Sequence, residues 1–246
     1  AKLRPVSEIA SELGLLPDEL ELYGPYKAKV RLDAIARLGA PRARYVLVTG
    51  ITPTPFGEGK TTVSVGLGQA FGRLGLRSIV TVRQSSMGPV FGTKGAGAGG
   101  GAAQLHPFPD LALHFTGDNH AVTVAHNLLA AVLDNALYQG TTALDPRTVT
   151  WPRVIDLNDR ALRQLVLGLG ESARTVRLTR LDITPASEVM AILALARDYR
   201  DLRERLGRIV VGTTWDGRPV TADELGAAGA MAALLVDALK PNLVQT

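Results

Sequence analysis

The stretch from Arg44 to Val82 limits the fold more than any other. Arg44-Tyr45-Val46-Leu47-Val48-Thr49-Gly50 is a continuous apolar, β-rich run of the kind expected for a parallel strand buried on both faces. The loop Ile51–Gly59 follows. From Lys60 to Leu74 the apolar residues Val63, Leu67, Ala70, Phe71 and Leu74 then recur at helical spacing. Gly75 stands just past that helix, an ordinary C-cap position, and Ser78–Val82 reads as a second strand. Strand, glycine-bearing loop, helix and strand in immediate succession make a βαβ unit with a right-handed crossover.

The rest of the chain agrees with this reading. Pro5–Leu22 reads as one or two short amphipathic helices with Ser7 as N-cap and Glu8 in the first turn, and Leu32–Leu38 as another, ending near Gly39. Helices are expected over Ala121–Tyr138, closed by Gly140, over Ser187–Leu206, and over Ala222–Leu239, stopped by Pro241. Val149–Leu157 and Arg208–Thr213 read as strands. The expected fold is α/β: a P-loop NTPase-like, doubly wound, mostly parallel sheet with flanking helices. We expect one nucleotide-binding domain over 1–246, with the helical segment 1–40 packed on it.

Composition narrows the function. With no cysteine there is neither a disulfide framework nor a thiolate metal site. The net charge of +4 is spread along the chain without a basic arm, which argues against nucleic acid and suits small anions. No apolar stretch approaches a membrane span and no signal peptide opens the sequence, so a soluble cytoplasmic protein is expected.

The loop carries the chemistry. Thr54-Pro55-Phe56-Gly57-Glu58-Gly59-Lys60-Thr61 resembles the phosphate-loop pattern G-x-x-x-x-G-K-[ST], with Thr54 where the first glycine belongs. Gly57 and Gly59 let the backbone curl and aim N–H groups at phosphate oxygens, and the helix N-terminus adds partial positive charge. Lys60 would reach the β- and γ-phosphates of ATP, and the Thr61 hydroxyl would ligate Mg²⁺.

Residues 52–62 also match, in order, a variant loop, Thr-Pro-Thr-Pro-x-Gly-Glu-Gly-Lys-Thr-Thr. With Leu113-His114-Phe115-Thr116-Gly117-Asp118, His126-Asn127-Leu128-Leu129-Ala130-Ala131, Asp156–Arg163 and Lys240–Thr246, the sequence resembles formate–tetrahydrofolate ligases over essentially its whole length. The resemblance implies ATP-dependent joining of formate to tetrahydrofolate through formyl phosphate. It also implies MgATP and a monovalent cation such as K⁺ or NH₄⁺, a homotetramer, and a longer polypeptide whose C-terminal half holds the folate. An isolated half is then expected to show unpaired apolar surface.

Several site residues follow from the same resemblance. Arg83 matches the arginine of Arg-[Glu/Gln]-Pro-Ser-x-Gly-Pro and would grip formate or formyl phosphate bidentately. Gly92, Lys94, Gly99, Gly100 and Gly101 fall in the family's glycine-rich substrate loop. There Ala96 and Gly97 are exchanged relative to the pattern, Ala102 replaces a tyrosine, and Ser85 replaces a proline in the preceding segment. His114 borders the site, and Asp118 is the candidate monovalent-cation ligand, with Gln84 nearby; both His114 and Asp118 read as lying on a strand-to-loop edge. Asp156 ends an apolar strand as a Walker B carboxylate does, or else Asp156 or Asn158 caps a helix starting near Asp159. Two other classes remain open: a P-loop switch ATPase of the partition or metallochaperone kind, and a non-catalytic remnant serving as a binding subunit.

Overall fold

The computed structural model describes residues 2–54, 57–91, 97–170 and 174–246. It is a mixed α/β structure, and its contacts divide it into two compact units where the sequence suggests a single domain: Ala1–Thr116 with Lys240–Thr246, and Gly117–Leu239.

The first unit starts with α1 (Val6–Glu12), whose N-cap is Pro5. Ser7, the expected cap, lies inside the helix, because proline with its fixed φ takes the entry position. β1 (Leu20–Leu22) and β2 (Ala28–Val30) form an antiparallel hairpin, Leu20 facing Val30 and Leu22 facing Ala28. β1 occupies the end of the segment Pro5–Leu22 expected to be helical, and β2 pairs on its other side with β11 (Asn242–Leu243). After α2 (Asp33–Leu38) comes α3 (Lys60–Arg73), which ends one residue before its expected close. The short hairpin of β3 (Gly99–Gly100) and β4 (Ala103–Gln104) leads to α4 (Phe108–Ala112). Val65, Ala98, Leu105, Leu111 and Phe115 form the core here, with Val80, Ala103, Phe108 and Val244 against it.

The second unit is organised on α5 (Asp118–Gln139), closed by Gly140. Its buried residues Val122, Ala125, Leu129, Leu133 and Ala136 recur three or four apart, the spacing of one helix face. β5 (Arg153–Ile155) pairs in parallel with β8 (Leu181–Ile183), while β6 (Leu165–Leu167) and β7 (Arg177–Thr179), and β9 (Val210–Thr213) and β10 (Pro219–Thr221), are antiparallel. The single helix expected over Ser187–Leu206 is two, α6 (Glu188–Leu195) and α7 (Tyr199–Gly207). Asp198 interrupts it by accepting from the Asp201 N–H at 2.8 Å, a side-chain cap in mid-run. α8 (Ala228–Leu234) covers only the middle of Ala222–Leu239, its start delayed by the left-handed Gly226.

The doubly wound, mostly parallel sheet is not what these strands form. Among the described residues, β5 with β8 is the one parallel pairing. Residues 44–50 and 78–82, expected to be its central strands, lie outside any strand. Tyr45 is 83% exposed, Leu47 71% and Ile79 69%. The apolar pattern of a two-face-buried strand needs a ladder neighbour and a cover on each face, and the described residues supply neither to these runs.

Candidate functional site: a glycine loop at the start of a helix

Gly57 and Gly59 hold φ of 87° and 72°, left-handed values that only glycine adopts freely, and this turns the chain into α3. Within the turn the Gly57 N–H donates to the Thr54 carbonyl at 3.3 Å, and the Thr54 hydroxyl donates to the Gly57 carbonyl at 3.1 Å. Lys60 and the half-buried Thr61 are the first two residues of α3. They stand beside N–H groups that the helix itself leaves unpaired, where its dipole is positive.

Glu58 organises the lysine. Its carboxylate accepts from the Thr54 backbone N–H and pairs with the Lys60 ammonium. Lys60 first, and Thr54 second, hold that carboxyl down to about 2. Gly50 lies against this pair: a Cβ there would make ordinary van der Waals contact, 3.4 Å from Glu58 Cγ and 3.6 Å from Lys60 Nζ. In the sequence Glu58 is the only carboxylate between Asp33 and Asp110, whereas Arg37, Arg42, Arg44, Lys60, Arg73, Arg77, Arg83 and Lys94 all fall in that span. A field of that sign attracts a polyanion.

Two further segments lie against α3. Residues 78–82 rest on it through Val80, since a Cβ at Gly68 would overlap the Val80 side chain. They lead to Arg83, which is exposed, and to Gln84, whose carboxamide nitrogen and oxygen are both buried without a partner. A buried amide left unsatisfied beside an arginine marks a place where a polar ligand would relieve a desolvation penalty. Gln69 donates to the Ala102 carbonyl at 3.0 Å and to the Thr246 hydroxyl at 2.9 Å, and Thr246 donates to the Gln104 carbonyl at 3.0 Å. The hairpin with Gly99, Gly100 and Gly101 is thereby fixed to the helix that begins with Lys60. Gly97 lies against the segment that follows Arg83, where a Cβ would come within 2.5 Å of Ser85 Cβ. The exchange that puts glycine at 97 thus accompanies the serine at 85.

The remaining candidates fall elsewhere. His114 occupies an exposed turn after α4, and Asp118 is the buried first residue of α5, in the second unit. Neither is on a strand edge, because Gly117 turns the chain directly into α5, whose N-terminus stabilises the carboxylate. Asp156 follows β5, and Asp159 itself caps the turn Arg160–Arg163, accepting from Ala161 N–H at 2.7 Å. Pro55, Phe56, Gly92 and Lys94 lie outside the described residues. The described residues hold no cluster of three or more His, Cys, Asp or Glu side chains able to take a metal, and no helix among them is long and apolar enough to cross a membrane. The Glu58–Lys60 pair, the Gln69 clamp and the Gly97–Ser85 contact escaped the sequence reading. Only the fixed Gly-Glu-Gly-Lys spacing hinted at the first.

Fold and site together define a mixed α/β protein with an anion cradle at a helix start, built from a glycine turn, a lysine and a threonine. Comparison with known proteins narrows that class. The model of the formate–tetrahydrofolate ligase family matches residues 1–246, and the chain belongs to that family. It is 59% identical to the formate–tetrahydrofolate ligase of Roseiflexus sp. (strain RS-1) over 249 residues, covering 100% of this chain and 44% of that protein. It is 60% identical over 247 residues to that of Saccharopolyspora erythraea (99% and 44%), and 58% identical over 249 residues to that of Methylobacillus flagellatus (100% and 45%). The chain spans less than half the length of these relatives.

Proposed function

We propose that this chain carries the ATP and formyl-phosphate part of a cytoplasmic formate–tetrahydrofolate ligase, which forms 10-formyltetrahydrofolate, ADP and phosphate. The observation behind the reading is the glycine turn that presents Lys60 and Thr61 at the start of α3, in a chain matched to that family throughout. The backbone N–H groups of the turn and the Lys60 ammonium hold the β- and γ-phosphates, with Thr54, Gly57, Glu58 and Gly59 shaping the cradle. The site fits MgATP because a hydroxyl, the hard oxygen donor Mg²⁺ prefers, stands next to the lysine; the ion neutralises phosphate charge when bound.

Arg83 holds formate through two parallel hydrogen bonds. A formate oxygen attacks the γ-phosphorus, the bond to the bridging oxygen breaks, and ADP leaves. The N10 amine of tetrahydrofolate then attacks the formyl carbon, phosphate departs, and the amine proton passes to solvent. The glycine hairpin, with Gly92 and Lys94, keeps water from the anhydride, and His114 borders it. Asp118, a buried oxygen donor, is the candidate ligand for K⁺ or NH₄⁺. The folate site, the completed doubly wound sheet and the homotetramer require the longer polypeptide seen in the relatives.

The test is binding and turnover with MgATP, formate, tetrahydrofolate and K⁺. The chain alone should bind MgATP and form little product. Lys60→Ala should weaken ATP binding by roughly 10- to 100-fold, the loss of a charge-assisted contact. Arg83→Ala should keep ATP affinity and lose formate-stimulated phosphoryl transfer. Unaltered ATP affinity in Lys60→Ala would sink the reading. Formate-independent ATP turnover would instead identify a switch ATPase.

A further inference from the structure

The phosphate loop of this chain already holds an anion of its own. Glu58 stands between the two glycines of the turn, and its carboxylate accepts from the Thr54 backbone N–H and from the Lys60 ammonium. A loop N–H and a lysine at a helix start are the kinds of donor that such a turn offers to phosphate oxygens. A glutamate on an exposed loop ordinarily keeps its carboxylate in water, because an exposed ion pair gains little. Here the Glu58 side chain is only 18% exposed, against 47% for Lys60, and Gly50 lies against the pair. Lys60 and Thr54 hold the carboxyl down to about 2, so it stays charged through the whole working pH range and acidity does not release the lysine. In the sequence no other carboxylate falls between Asp33 and Asp110. The one anion of this basic stretch thus stands on the lysine that an incoming phosphate needs.

We infer that Glu58 is a specificity-determining residue, an internal stand-in for phosphate that an incoming anion must displace before Lys60 and the loop can hold it. The inference rests on the phosphate-binding reading of this loop and adds which anions the loop admits. Displacement costs every ligand the same two charge-assisted hydrogen bonds, roughly tenfold or more in affinity. A triphosphate replaces them with several contacts to Lys60 and to the turn, and binds regardless. Formate, with one charge and two oxygens, at best reproduces the contacts it removes and gains nothing. The distinction matters in a ligase whose two small substrates are both anions. Formate on Lys60 would block the phosphates; Glu58 keeps it off the loop and leaves it to Arg83. A carboxylate that only positioned the lysine would act with the opposite sign. Removing a positioning group weakens anion binding, whereas removing an internal competitor raises the fraction of loops ready to bind and so tightens it.

The experiment is calorimetric titration of the chain with metal-free pyrophosphate, which carries the P–O–P group of the β- and γ-phosphates. Glu58→Gln keeps the shape of the side chain and removes its charge. It should bind pyrophosphate at least about tenfold tighter than the parent. Formate should compete with pyrophosphate in that variant and not in the parent. Glu58→Ala should tighten binding as well, which separates loss of the competitor from any new contact made by the amide. In a Lys60→Ala background Glu58→Gln should gain much less, because the lysine is the group that the carboxylate withholds. Circular dichroism of each variant checks that the fold is kept. Unchanged or weaker binding in Glu58→Gln and Glu58→Ala would overturn the inference and leave the phosphate loop standing. So would tightening confined to Glu58→Gln, or formate competing equally well in the parent. Unaltered pyrophosphate affinity in Lys60→Ala alone would instead remove the phosphate-loop reading, and the inference with it.

Discussion

The second unit closes on itself, and the first does not. In Gly117–Leu239 the parallel strands β5 and β8 satisfy one another, and a buried histidine finds a partner for each ring nitrogen. His126, buried on α5, has Nδ1 2.8 Å from Ser187 Oγ and Nε2 2.9 Å from the Pro152 carbonyl, and its ring stacks on Trp151 at 4.0 Å. Ser187 in turn accepts from the Val189 N–H and starts α6. In the first unit, runs that are richer still in β-branched and aliphatic residues stay exposed, and Gln84 is buried without a partner. Hydrophobicity alone therefore does not bury a strand. Burial also requires partners for every backbone N–H and C=O, and those partners can be remote in sequence.

Mutations should sharpen or break that contrast. The largest effect is expected at Leu133, fully buried on α5, where Leu133→Ala should cost about 3 kcal/mol in urea unfolding through the cavity left behind. A loss under 1 kcal/mol would mean that the second unit is as loosely packed as the open runs. Next comes the pH dependence of His126. Burial pushes its imidazole down to about 4, only partly offset by the Pro152 carbonyl and the charge of Asp182. Because the folded state resists the proton that the unfolded chain accepts from pH 6.5 downward, stability should be complete above that value. It should fall as pH drops towards 4 and level off below, with a total on the order of 3 kcal/mol. His126→Gln should flatten that slope in thermal melts, and an unchanged slope would assign the acid sensitivity elsewhere.

In the first unit, Gly68→Ala should destabilise by about 1–2 kcal/mol, because overlap with Val80 outweighs the gain in helix propensity. The double variant with Val80→Ala should recover much of the loss in a mutant cycle. Without such coupling, 78–82 would not be seated on α3. The smallest effect is expected at Leu47, where Leu47→Ala in the chain alone should stay within about 0.5 kcal/mol of the parent, as for any exposed side chain. A loss as large as that at Leu133 would show the run to be buried in solution and would erase the contrast.

The helices were largely legible, and so was the loop. Helical periodicity set α3 and α5 to within a few residues, since a single face and its end signals are local in sequence, and the glycine at 140 stopped the longer of them. The split between α6 and α7 was legible in principle, because Asp198 is a capping residue, but the surrounding Arg and Asp residues continued the helical pattern across it. The order Gly57, Glu58, Gly59, Lys60, Thr61 was enough to mark an anion cradle and, with the other matching stretches, the family. Conformation at φ above zero and the first turn of a helix depend on residues adjacent in the chain. Tertiary structure alone decided the rest. It kept 44–50 and 77–82 without partners, seated Gly97 on Ser85, clamped the glycine hairpin through Gln69, and kept His126 neutral between a serine and a carbonyl. Each of these depends on which distant segment arrives to fill a space or accept a hydrogen bond, and one sequence window does not contain that information.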